Sequence, residues 1–227
     1  MYLRATRVIY NLIRKDFPNY PQWNYRITTN RYSHKGITLT KEQLTIFANS
    51  SNLTPSQSEA KRLFMISLFA GGMNISDLLN LKWSDISSDK ITFIREKTKR
   101  NYGQPIEIPL TEELKRYLGM PAGSPYIISN FNRNGSPLQI NRRAKWFIGK
   151  LNRQLKSICQ QLNLPPITTY SARHTFASIL RFNGVSREQI SELLGHSSIH
   201  TTTAYLRRFD VSTKADAINT IQLRIAN

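Results

Sequence analysis

The sequence predicts a mainly α-helical chain carrying one small antiparallel β-sheet, an α+β fold. Three observations predict it. Apolar residues recur at helical spacing through most of the chain, one stretch between residues 90 and 109 switches to strict alternation, and Gly, Pro and Asn separate the segments. With 227 residues, 40% of them hydrophobic and 10% aromatic, the chain can build an ordinary buried core, which excludes global disorder.

In order along the chain, Tyr2, Leu3, Val8, Ile9, Leu12, Ile13 and Phe17 mark a first helix over residues 2–17. Pro18, Pro21 and a polar, basic stretch to Lys35 and Gly36 read as a linker, so the chain is expected to divide into 1–35 and 36–227. Thr40 followed by Gln43 is a capping box that opens a short helix, because each side chain satisfies a backbone N–H left free at a helix start. Further helices are predicted over 55–70, stopped by Gly71 and Gly72, and over 75–81. Ile91, Phe93 and Arg95 share one side of a strand and Ile106 and Ile108 one side of its partner, a hairpin turning at residues 101–103. A helix over 111–118 precedes a third short strand at 126–128. The remainder reads as helices over 138–163, 170–182, 186–194, 197–207 and 212–224.

Lys and Arg number 32 against 14 Asp and Glu, a formal net charge of +18, which points to a polyanionic partner. No apolar run approaches a membrane span and the start lacks a secretory signal, so a cytoplasmic location is expected. Cys159 is the single cysteine, which excludes an internal disulfide framework and predicts a reduced residue packed in a helix. His196 and His200 are four residues apart, but no Glu lies between them and no third ligand is evident, so no metal is expected. Ser171, Thr175 and the threonines at 201–203 lack the surroundings of a hydrolase nucleophile, and His174 is read as a packing residue.

Four features stand together near the C-terminus: Tyr170-Ser-Ala-Arg173-His174, Leu194-Gly195-His196, the Ser/Thr tract 197–203 and Tyr205. His196 follows Arg173 by 23 residues and Tyr205 follows His196 by nine. In this order and spacing the segment resembles the C-terminal signature of the tyrosine recombinases, the phage integrase family. The resemblance extends upstream through Gly71-Gly-Met-Asn-Ile-Ser-Asp77 and Arg95-Glu-Lys97-Thr, covers roughly residues 38–220, and is most similar to integrases of Bacteroidetes mobile elements.

What the resemblance implies is a tyrosine-recombinase catalytic domain that cleaves and rejoins double-stranded DNA. Tyr205 would attack phosphorus to leave a 3′-phosphotyrosine, Arg173 would grip the non-bridging oxygens with a two-pronged guanidinium, and His196 would add a donor to the same phosphate. Lys97 would protonate the leaving 5′ oxygen, and Tyr170, three residues before Arg173 and on the same helix face, would support it. No ATP and no other cofactor is implied. The family further implies a homotetramer on two DNA sites passing through a Holliday junction, and leaves room for an accessory DNA-bending protein. Residues 1–35 would be the remnant of a core-binding domain. Lys99, Arg100, Arg142, Arg143, Lys145, Arg207 and Arg208 would follow the duplex backbone.

One departure stands out. The family's first arginine is absent: it follows the Gly-Met pair, where this sequence has Asn74, or sits just before it, where this sequence has Gly71. Arg95, two residues before Lys97 and therefore about 7 Å from it along an extended strand, is the expected surrogate cation. Two rivals follow: a catalytically weakened DNA-binding protein of the same fold, for which Asn74 is the main argument, and a topoisomerase-like enzyme with the same tyrosine chemistry.

Overall fold

The computed structural model describes residues 2–19, 36–97, 105–121 and 123–195. The chain divides into two units, Met1–Lys35 and Gly36–Asn227. In the first, helix α1 spans Tyr2–Asp16 and exposes Val8, Ile9, Leu12 and Ile13, with Phe17 exposed just beyond it.

The second unit is built on helix α3, Pro55–Phe69. Thr54 caps it: its hydroxyl accepts from the Gln57 amide while the Gln57 side chain accepts from the Thr54 N–H, and Pro55 sits where no intrahelical donor is needed. Leu63, Phe64, Met65, Ile66 and Leu68 are all buried, so the C-terminal half of this helix is enclosed nearly all round. It is sheathed by α5 (Glu112–Leu118), α6 (Pro137–Gln161) and α7 (Ser171–Phe182). Cys159 is buried in α6, as expected. Helix α2, Lys41–Ala48, starts at the predicted Thr40–Gln43 capping box. Helix α8, Arg187–Leu193, packs against α7 and the sheet.

The sheet consists of β1, Lys90–Phe93, antiparallel to β2, Ile106–Pro109, with Ile91 opposite Ile108 and Phe93 opposite Ile106. Ile91 and Ile108 face the core, while Lys90 and Glu107 form an exposed ion pair of 2.8 Å on the other face.

Three predicted elements need correction. The segment 126–128 does not join the hairpin: Tyr126 makes an isolated bridge to Lys82, because its neighbours' backbone groups pair with Leu81 and Trp83 instead. Helix α4 covers only Ile75–Leu78, after which i→i+3 bonds tighten the chain and the Arg133 guanidinium donates to the Leu79 carbonyl. Arg95 and Lys97 lie beyond β1, not on it. The ladder stops at Phe93 because the Glu96 N–H donates to the buried carboxylate of Asp77, 2.9 Å away, rather than across the sheet. The predicted helices over 197–207 and 212–224 lie outside the described residues. Among the described residues no helix is long and apolar enough to cross a membrane.

Candidate active site

Arg173 sits in the first turn of α7. The turn is organised by Ser171, whose hydroxyl accepts from the Thr168 N–H at 3.0 Å, and by the Asn152 side chain, which accepts from Thr169 at 2.8 Å. The arginine is only 3% exposed. Its Nη1 donates to the Gly72 carbonyl at 3.1 Å and its Nη2 to the carbonyl of Leu194.

Gly72 makes this approach possible. Its φ is +68°, and a β-carbon there would stand 3.0 Å from the Arg173 Cα. Gly72→Ala is therefore expected to lower stability by about 1–2 kcal/mol from the left-handed backbone alone. The DNA cleavage that the resemblance implies is expected to fall with it, because the methyl pushes on the Arg173 backbone. Urea unfolding and a cleavage assay on one preparation check both effects.

Arg95 reaches the same place from the hairpin exit. Its Nη1 donates to the Gly195 carbonyl at 3.0 Å, so two guanidiniums hold successive carbonyls, those of Leu194 and Gly195. Between the arginines lies Asp77, 8% exposed, with one carboxylate oxygen accepting from Glu96 and the other 4.0 Å from Arg95 Nε. Burial raises the Asp77 carboxyl above the usual aspartate range. The Glu96 N–H and the charges of Arg95 and Arg173 offset only part of that rise. Sequence reasoning passed over Asp77; the signal was an acidic residue three positions after Asn74, flanked by the apolar Ile75, Leu78 and Leu79.

Asn74 is the N-cap of α4, and its backbone carbonyl, not its side chain, receives the Asp77 and Leu78 amides at 3.0 Å. Lys97 is exposed. Tyr170, 49% exposed, precedes α7 and sets its ring edge-on to His174. On α6, Arg142 and Lys145 are exposed beside Trp146, whose ring lies 5.9 Å from Lys150 Nζ. Arg143 is turned back to the Asn134 carbonyl and the Asn132 side chain, so it closes a loop as well as adding charge. His196, Tyr205, Lys99, Arg100, Arg207 and Arg208 lie outside the described residues. Among the described residues no group of three or more His, Cys, Asp or Glu could hold a metal ion.

The architecture has known counterparts. A Tn1549 transposon integrase in complex with circular intermediate DNA aligns with 89% of this chain and 72% of its own, at 21% identity and a TM-score of 0.65. XerH site-specific recombinase bound to palindromic difH substrate aligns with 90% of this chain and 59% of its own, at 18% identity and a TM-score of 0.61. These likenesses establish the fold, a mostly helical body with a small antiparallel sheet. In sequence, Tyrosine recombinase XerA of Pyrococcus furiosus is 31% identical over 156 residues, covering 67% of this chain and 52% of the relative. Tyrosine recombinase XerC of Herpetosiphon aurantiacus is 29% identical over 211 residues, covering 84% and 65%. The chain thus spans about half the length of the XerA relatives it matches. The phage integrase family model matches residues 38–211, the stretch that contains Asp77, Arg95, Arg173 and every core helix of the second unit. By that match the chain belongs to the phage integrase family.

Proposed function

We propose that this chain is the strand-cutting part of a site-specific DNA recombinase. The observation that carries the reading is the buried Arg173, held with Arg95 over the Leu194–Gly195 carbonyls one residue before His196. Two guanidiniums brought together from segments 78 residues apart are what a phosphate requires as charge builds on its non-bridging oxygens. The phenol of Tyr205 gives up its proton to solvent water as the Oη–P bond forms, the P–O5′ bond breaks, and Lys97 gives a proton to the departing oxygen. Ligation runs the same transfer backward. The phosphodiester energy stays in the phosphotyrosine, so no ATP is consumed.

Arg95 takes the part left vacant by Asn74, and Tyr170 supports Arg173. Double-stranded DNA is the partner, in keeping with the DNA-bound integrase and XerH structures that share the fold. A tetramer on two sites, an accessory bending protein, a nucleoid location and a core-binding origin for residues 1–35 complete the proposal. A nicked suicide duplex tests it, because loss of the short fragment prevents religation and leaves the protein covalently attached. Tight binding with no adduct favours the weakened DNA-binding reading that Asn74 supports, and relaxation of supercoils without sequence preference favours the topoisomerase-like one.

Two further outcomes are expected. Arg95→Ala slows single-turnover cleavage about 10²-fold, the scale of a lost charge-stabilising donor. An unchanged rate, together with a gain from Asn74→Arg, would show that Arg95 is no surrogate. Secondly, the logarithm of duplex affinity falls steeply and linearly with the logarithm of salt, and charge removal at Arg142 and Lys145 makes the slope shallower by about one unit for each phosphate left unneutralised. Fluorescence anisotropy across a salt series measures it; a flat plot rules out backbone binding through these residues.

A further inference from the structure

We infer that His174 is a positioning residue for Tyr170, and that the segment from Gly36 to Leu39 holds His174 in place. The inference rests on the proposed cleavage reaction and adds a residue to it. Tyr170 is half-exposed at the mouth of α7, three positions from Arg173, and its ring meets the His174 imidazole edge to face, with centroids 4.9 Å apart and planes at 82°. That contact joins residues one helical turn apart, the spacing at which side chains on a helix meet.

His174 is itself 9% exposed, and the Gly36 backbone packs closely against it. A β-carbon at Gly36 would fall among the imidazole Nε2, Cδ2 and Cε1 atoms, so only glycine lets the chain pass. One residue further along α7, the buried Thr175 hydroxyl accepts from the Leu39 N–H at 3.1 Å, and Leu39 is 2% exposed. The segment is thus fastened to two consecutive residues of the helix that carries Arg173. Without this support the Tyr170 side chain, with two rotatable bonds and an exposed edge, would sample several rotamers. With it, the ring has one well-defined neighbour, and the hydroxyl can be presented to a phosphate already gripped by Arg173. The gain is one of placement: small errors in the position of a group acting on a reacting centre cost rate steeply.

Single-turnover cleavage of the nicked suicide duplex is the test, with duplex affinity measured separately in the Tyr205→Phe background. His174→Ala should slow cleavage about tenfold and leave affinity within about twofold, a loss in rate without a loss in binding. His174→Phe, which keeps a flat ring against Tyr170, should recover most of the rate. In a Tyr170→Ala background, His174→Ala should cost nothing more, because its effect passes through the tyrosine. If His174→Ala fails to fold, Gly36→Ala supplies the same displacement from the other side and should slow cleavage only while Tyr170 is present. Losses that persist in full without Tyr170, a phenylalanine no better than alanine, or an undiminished rate in Gly36→Ala overturn the inference alone. Absence of any adduct from the unaltered chain overturns the proposed function and this inference with it.

Discussion

Replacing Tyr205 by phenylalanine is expected to abolish the covalent protein–DNA adduct while leaving the duplex bound. Phenylalanine keeps the ring and removes the oxygen proposed to attack phosphorus, so the loss should exceed about 10⁴-fold, the scale seen when a catalytic nucleophile is deleted. Binding should survive, because in the proposed reading the basic surface grips the phosphates without help from the phenol. A denaturing gel of protein trapped on the suicide duplex reads the first quantity, and anisotropy reads the second. An adduct that persists in Tyr205→Phe would move the nucleophile to another residue. Sequencing the trapped DNA from the unaltered chain would, in the same experiment, locate the cleaved bond and the preferred site.

Removal of Arg173 is expected to damage both chemistry and fold, in separable amounts. In the proposed reaction Arg173→Ala withdraws a guanidinium from the scissile phosphate, a loss expected to be about 10²- to 10³-fold in rate. It also leaves the carbonyls of Gly72 and Leu194 without their donor in a buried setting. Each orphaned polar group costs about 1–3 kcal/mol, so a clear fall in unfolding free energy should accompany the kinetic loss. Arg173→Lys separates the two effects. Lysine keeps the charge and can donate to one of the two carbonyls, but its compact ammonium cannot reproduce the fork that spans Gly72 and Leu194, so it should recover part of the stability and little of the rate. Urea unfolding followed by circular dichroism, with cleavage measured on the same preparations, distinguishes these contributions. A variant that cleaves at the normal rate despite reduced stability would make Arg173 a structural residue only.

The helices that position the site were legible because their signals are local. Thr40 with Gln43 announces α2, and Gly71 and Gly72 close α3 within a residue of where periodicity ends it. The endpoints that failed depend on distant partners. Alternation through Ile91, Phe93 and Arg95 continues past Phe93 in the sequence, but strand pairing does not, because Asp77, 19 residues from Glu96, captures the amide that would extend it. Ile127 looks like a strand residue and is buried like one, yet its N–H goes to the Leu81 carbonyl in a connecting segment. The site divides in the same way. Arg173 was identified from its motif, whereas its hold on Gly72, 101 residues away, and the role of Asp77 between two arginines arise only once the chain is folded.

The paired carbonyls of Leu194 and Gly195 have a mechanical consequence. Whatever path the chain takes afterwards, it departs from a dipeptide moored at two adjacent points by arginines from separate segments, and it leaves through a glycine at φ +58° that no ordinary residue would adopt cheaply. His196 is one bond past that mooring and Tyr205 nine residues further on. The end of α8 is thus held by side chains from α7 and from the residues after β1, so carbonyls that a helix end leaves open are satisfied from across the fold.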